Sequence, residues 1–122
     1  MKMFGLIASC YGFIGVALGA FGAHGLHAQL VASGRLENWE TATLYLFVHS
    51  IVLLFVSLRN EDNAGNCLKV AGWSFVFGIL IFSGSLYVLS LTNVTKLGMI
   101  APVGGTSLLV GWGALIIGFL KK

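Results

Sequence analysis

Residues 4–23 read FGLIASCYGFIGVALGAFGA, and within them Gly5, Ala8, Gly12, Gly15, Gly19 and Gly22 recur at alternating intervals of three and four. That spacing lays all six on one face of an α-helix. In water each glycine would weaken the helix by roughly 1 kcal/mol relative to alanine. In a bilayer, lipid forces every main-chain group to bond within the helix, and a face without side chains lets a neighbour approach closely. The stretch therefore reads as a transmembrane helix with a close-packing seam.

Outward from this helix, the few charges mark out the rest of the chain. Only 9% of residues are charged and the mean hydropathy is +0.94, against roughly 25% charged in soluble domains. Charge-free runs extend from Met3 to Gly34, Thr41 to Leu58, Val70 to Thr95 and Leu97 to Leu120. The shortest holds eighteen residues and reaches about 27 Å as a helix, close to the ~30 Å hydrocarbon core. The prediction is an all-α, four-transmembrane-helix bundle with glycine-rich, close-packed helices. It forms a single integral membrane domain over residues 1–122, with spans at about 4–23, 41–58, 70–91 and 97–120.

The net charge of +3 does not point to nucleic acid, because the basic residues stand singly or in pairs at span ends. They bear on orientation instead. Lys2, Arg59, Lys69, Lys121 and Lys122 fall on one side of a four-span topology, and only Arg35 and Lys96 on the other. The positive-inside rule then puts both termini in the cytoplasm of a multi-pass protein of the bacterial plasma (inner) membrane. The first helix is expected to stay uncleaved, since it is longer and richer in glycine than a secretory signal core. In this topology Cys10 and Cys67 face a reducing compartment, so they are read as small inert residues and not as a disulfide.

Each span carries its own small-residue face. Gly12, Gly15, Gly19 and Gly22 belong to span one; Thr43, Ser50 and Ser57 recur every seven residues in span two; Gly78 lies in span three; and Gly104, Gly111 and Gly118 lie in span four. Spans one and four are expected to make the closest contacts, with Leu53 and Leu54 of span two turned to lipid. Between spans one and two, Leu26, Leu30, Leu36 and Trp39 allow a short helix on the outer membrane surface, with Trp39 as an interfacial anchor. Asn60, Glu61, Asp62, Asn63, Gly65 and Asn66 make a polar turn. Pro102, the single proline, either starts span four near Ala101 or kinks its outer end.

Polar residues gather at one depth. His24, His49, Ser83, Ser85, Tyr87, Thr106 and Ser107 all fall in the outer half of the expected bundle, where they form a candidate polar pocket. His49 is the sharpest of them, because ionisable groups within a membrane are costly. Two roles are open to it: a neutral imidazole clipped to a hydroxyl such as Ser85, Tyr87 or Thr106, or a group that binds a ligand or a proton. His24 and His27 with Glu37 or Glu40 have no recognised zinc spacing, so no metal and no cofactor is assigned. All four carboxylates lie in loops, and no nucleophile, HExxH or phosphate-cradling glycine loop is present. No catalytic residue is assigned. The reading is a non-catalytic membrane protein that acts through helix packing with itself, with a membrane protein partner or with lipid. The alternative is a transport, small-ligand or lipid-binding module built on the outer pocket.

Several segments carry a resemblance. Ala17–His24 (ALGAFGAH), then Trp39, Thr41, Tyr45 and His49, Phe82–Tyr87 (FSGSLY), Pro102–Gly105 (PVGG) and Gly111–Trp112 are similar, in order and spacing, to a family of small bacterial inner-membrane proteins catalogued as a domain of unknown function. The resemblance covers nearly the whole chain and implies a four-span inner-membrane protein, with no activity attached. Relatives often have a polar residue directly after the tyrosine of span two. Leu46 stands there in this chain, which argues against a strongly polar pocket.

Overall fold

The computed structural model describes residues 2–59 and 66–121. The residues from Asn60 to Gly65 in the expected polar turn, and Lys122, lie outside the described residues. Among the described residues five α-helices form, in the order α1 (Lys2–Ala23), α2 (His27–Ser33), α3 (Leu36–Leu58), α4 (Cys67–Thr92) and α5 (Ala101–Leu120). A 3-10 helix (Thr95–Met99) leads into α5. Four of these segments are long and apolar enough to cross a membrane.

The turns explain where helices stop. α2 ends at Gly34, whose φ of 73° only glycine adopts without cost. The bond from Arg35 N–H to the Leu30 carbonyl closes that end. α4 ends at Asn93 with φ of 57°, and the Asn93 side chain accepts a 2.8 Å bond from Arg35 Nε. One contact thus ties the α2–α3 junction to the far end of α4. Pro102 sits in the first turn of α5, where its missing N–H costs no helix bond. The α-helix of span four therefore begins at Ala101, with the proline in its first turn.

α4 is the centre of the bundle. More than half (56%) of its most apolar stretch is buried, against 33% for α3 and 17% for α1. α3 packs antiparallel on both α1 and α4, and α5 packs antiparallel on α4. The expected pairing of spans one and four is therefore wrong: α1 pairs with α3, and α5 with α4. A glycine face says that something packs closely and leaves the partner open.

The two seams also work differently. Along α1, glycines receive side chains of α3. A Cβ on Gly15 would stand 3.0 Å from the Phe47 ring, and one on Gly22 would meet the Trp39 indole at 2.5 Å. Gly19 lies at ordinary contact distance from Thr43, and Gly5 faces Ser57. Gly12 is a correction to the packing set, because a Cβ there meets nothing within 4 Å. Between α4 and α5 the approach is main chain to main chain. A Cβ on Gly104 would lie 2.8 Å from Cα of Phe82, and one on Gly78 would lie 3.0 Å from the Leu108 nitrogen. Gly111 makes room for the Phe75 ring, and Gly118 is buried. Gly72 of α4, outside the expected set, receives the ring of Phe4.

Two apolar residues lie elsewhere than expected. Leu53 is fully buried in the core, while Leu54 is 42% exposed. Trp39 is 2% exposed, so it is a packing residue between α1 and α3 and not an interfacial anchor. Its Nε1–H donates to the Leu18 carbonyl at 2.8 Å.

Candidate functional site

Tyr45 and His49 stand one turn apart on α3, with their rings stacked at 5.6 Å. His49 Nδ1 lies 2.9 Å from the Tyr45 carbonyl, and its Nε2 accepts a 3.1 Å bond from Trp112 Nε1–H of α5. An indole N–H can only donate and a carbonyl can only accept. The two partners together therefore define a neutral imidazole with its proton on Nδ1. Phe75 of α4 also packs against the ring, at 5.7 Å. Both nitrogens are engaged, and the residue is 5% exposed. The clip expected to a hydroxyl is made here to an indole instead.

Around this clip α3 and α5 stand apart and leave a groove open to the lipid side. Its part nearer the start of α5, the outer part in the topology expected from the sequence, encloses about 700 Å³, between Leu44, Tyr45 and Val48 on one wall and Pro102, Thr106 and Leu109 on the other, with Phe82 of α4 among its lining. Its inner part encloses about 520 Å³, with Ile51, Val52 and Phe55 facing Leu115, Ile116 and Phe119. Trp112 lines both parts, so the Trp112–His49 bond divides the groove.

The seven candidate residues do not come together. His49 and Thr106 line the outer groove, where the Thr106 hydroxyl donates to the Pro102 carbonyl at 2.9 Å. Ser83 turns to α3 and donates to the Ala42 carbonyl at 2.8 Å. Tyr87 meets Thr43 of α3, hydroxyl to hydroxyl at 2.6 Å. Ser85 bonds back to the Phe82 carbonyl of its own helix. Ser107 turns away from the groove and donates to the Ser74 carbonyl of α4 at 2.8 Å. His24 is exposed at the end of α1, outside the lining of the groove. These residues share a depth in the membrane but point in different directions around their helices.

Four of them, His49, Ser83, Tyr87 and Ser107, bond across helices. Together with the Trp39–Leu18 bond and the bond from Tyr11 hydroxyl to the Val76 carbonyl at 2.8 Å, the polar side chains tie α1 to α3 and α4, α4 to α3, and α5 to α4. No buried side-chain nitrogen or oxygen among the described residues lacks a partner. Cys10 and Cys67 are free thiols. Among the described residues no three His, Cys, Asp or Glu come close enough to hold a metal ion.

Trp112 is the residue of this site that composition and spacing pass over. A signal for it existed: tryptophan concentrates at the membrane interfaces, whereas Trp112 stands well inside a span and near no loop.

Comparison with known proteins agrees with a membrane-embedded chain. Residues 18–105 match the family described as "Protein of unknown function (DUF423)". A UPF0382 membrane protein of Staphylococcus epidermidis is 42% identical over 121 residues, which cover 99% of this chain and 98% of the relative. One from Staphylococcus saprophyticus is 41% identical over 121 residues, 99% of each chain. The UPF0382 membrane protein YwdK of Bacillus subtilis is 35% identical over 122 residues, 99% of this chain and 98% of the relative. No solved structure matches. A family match over most of the chain and similarity along nearly its whole length lead to one conclusion: this chain belongs to the DUF423 family of membrane proteins, whose function is unknown.

Proposed function

We propose that this protein is a non-catalytic, multi-pass protein of the bacterial plasma membrane that acts through its lipid-facing surface, by packing against itself, a membrane protein partner or lipid. One observation carries this reading. The polar side chains inside the bundle are engaged in bonds between helices or back to their own helix, and among the described residues no buried side-chain nitrogen or oxygen is left without a partner. One surface open to interaction is the groove between α3 and α5. Both termini lie in the cytoplasm, a sidedness supported by Lys2, Arg59, Lys69, Lys121 and Lys122, which the order of spans in the sequence puts on one side.

The second reading, a transport or small-ligand module, is favoured by the outer groove with Tyr45, His49 and Thr106 on its lining. Native mass spectrometry from mild detergent tests the two together. A stable oligomer supports the first reading. A retained non-lipid small molecule that is lost on His49→Leu supports the second.

A further inference from the structure

The inner part of the α3–α5 groove ends at a cation. Arg59 follows the last residue of α3, and its guanidinium carbon lies 4.7 Å from the centroid of the Phe119 ring and 5.6 Å from that of Phe55. Those two rings belong to opposite walls of the groove, Phe55 to α3 and Phe119 to α5. One positive charge is thus held across the mouth of an apolar trough at the end of two membrane-spanning helices. Lys121 follows α5 directly at the same end.

We propose that this trough is a binding site for an anionic phospholipid. One acyl chain lies between Ile51, Val52 and Phe55 and their counterparts Leu115 and Ile116, and the phosphate meets Arg59. The charge decides the occupant. A second transmembrane helix of ordinary apolar composition has nothing to offer a guanidinium, whereas a lipid brings a hydrocarbon chain and a phosphate at the matching depth. Arginine suits this task because its planar fork of N–H donors matches two phosphate oxygens at once while its face stays on an aromatic ring. Holding the cation over two rings also restricts its motion before the lipid arrives, which reduces the ordering cost of binding. The site depends on the membrane embedding of α3 and α5, and stands whether or not the protein is catalytic or self-associates.

The test is native mass spectrometry of the full-length protein in mild detergent, with dioleoyl phosphatidylglycerol or dioleoyl phosphatidylcholine added at equal concentration. One well-placed arginine should enrich the phosphatidylglycerol adduct about fivefold. Arg59→Gln should bring the ratio near one, and Arg59→Lys should keep part of the preference. Ile116→Trp, at a position already facing lipid, should fill the trough and reduce both adducts with the charge intact. Inorganic phosphate alone should not be retained. Each variant is checked for helix content by circular dichroism, and if Arg59→Gln does not fold, Arg59→Lys and Ile116→Trp carry the test. Equal adducts of the two lipids overturn the proposal. So does a preference that survives Arg59→Gln, which would assign it to scattered surface lysines. Undiminished adducts in Ile116→Trp, or retention of free phosphate, overturn it as well.

Discussion

Gly104→Ala is the sharpest test of how α4 and α5 hold together. The added Cβ would lie 2.8 Å from both Cα and Cβ of Phe82, and closer still to its main-chain nitrogen. A side chain could swing aside, but a helix backbone cannot, so α5 must retreat as a unit. A retreat of about 0.6 Å forfeits roughly a quarter to a half of the dispersion well for each facing atom pair along the seam. Overpacking of this kind costs about 1–3 kcal/mol, and the alanine returns at most about 1 kcal/mol of helix propensity. The net expectation is destabilisation by up to about 2 kcal/mol. Gly113→Ala on the same helix is the control, because its Cβ would meet nothing within 4 Å. It should be neutral or mildly stabilising. The assay is equilibrium unfolding by sodium dodecyl sulfate in mixed micelles, followed by far-ultraviolet circular dichroism. If the two variants unfold at the same detergent fraction, the main-chain approach at Gly104 is not what holds the pair.

Three further expectations concern other parts of the bundle. His49→Leu should cost about 1 kcal/mol by leaving the Trp112 N–H unpaired, and His49→Gln less, since an amide oxygen still accepts. In a Trp112→Phe background the difference should shrink, and a double-mutant cycle without coupling would remove the clip. Leu53→Ala opens a cavity in the core and should cost about 2–5 kcal/mol, whereas Leu54→Ala on the lipid side should cost far less. Equal melting losses for the two would mean that α3 is rotated from its described position. A reporter active only in the cytoplasm should work when fused after Lys122 and fail when inserted near Ser33; the reverse pattern would refute the proposed sidedness.

Much of the architecture is legible in the order of residues. Charge-free runs and the α1 glycine stripe identify four spans, while Pro102 leaves open whether the last begins near Ala101 or is kinked there. Helix partners are not legible in the same way. A stripe at Gly15, Gly19 and Gly22 fits any helix that presents side chains of the right size, and Phe47, Thr43 and Trp39 are recognisable as those side chains only once α3 lies alongside. Missing from the candidate site is direction around the helix axis. Counting residues puts Ser83, Tyr87, Thr106 and Ser107 at similar depth, but Ser83 and Tyr87 turn to α3, Ser107 turns to α4 and Thr106 turns to the groove. Apolar residues surround each span nearly all the way round, so periodicity carries little of this information. Trp39 shows the same limit: a tryptophan at a span end usually anchors an interface, and here it fills the space left by Gly22.

Four of the ties between helices end on main-chain carbonyls: those of Leu18, Ala42, Ser74 and Val76. A carbonyl is present whatever side chain its residue carries, so each of these links is specified by one codon and not by two. Over evolutionary time the donors Tyr11, Trp39, Ser83 and Ser107 carry the constraint alone, and the acceptor positions drift free of them. Covariation between the linked positions is therefore expected to be weak, although the helices they join are in firm contact. Contact inference from paired substitutions would underrate this bundle at its own fastenings.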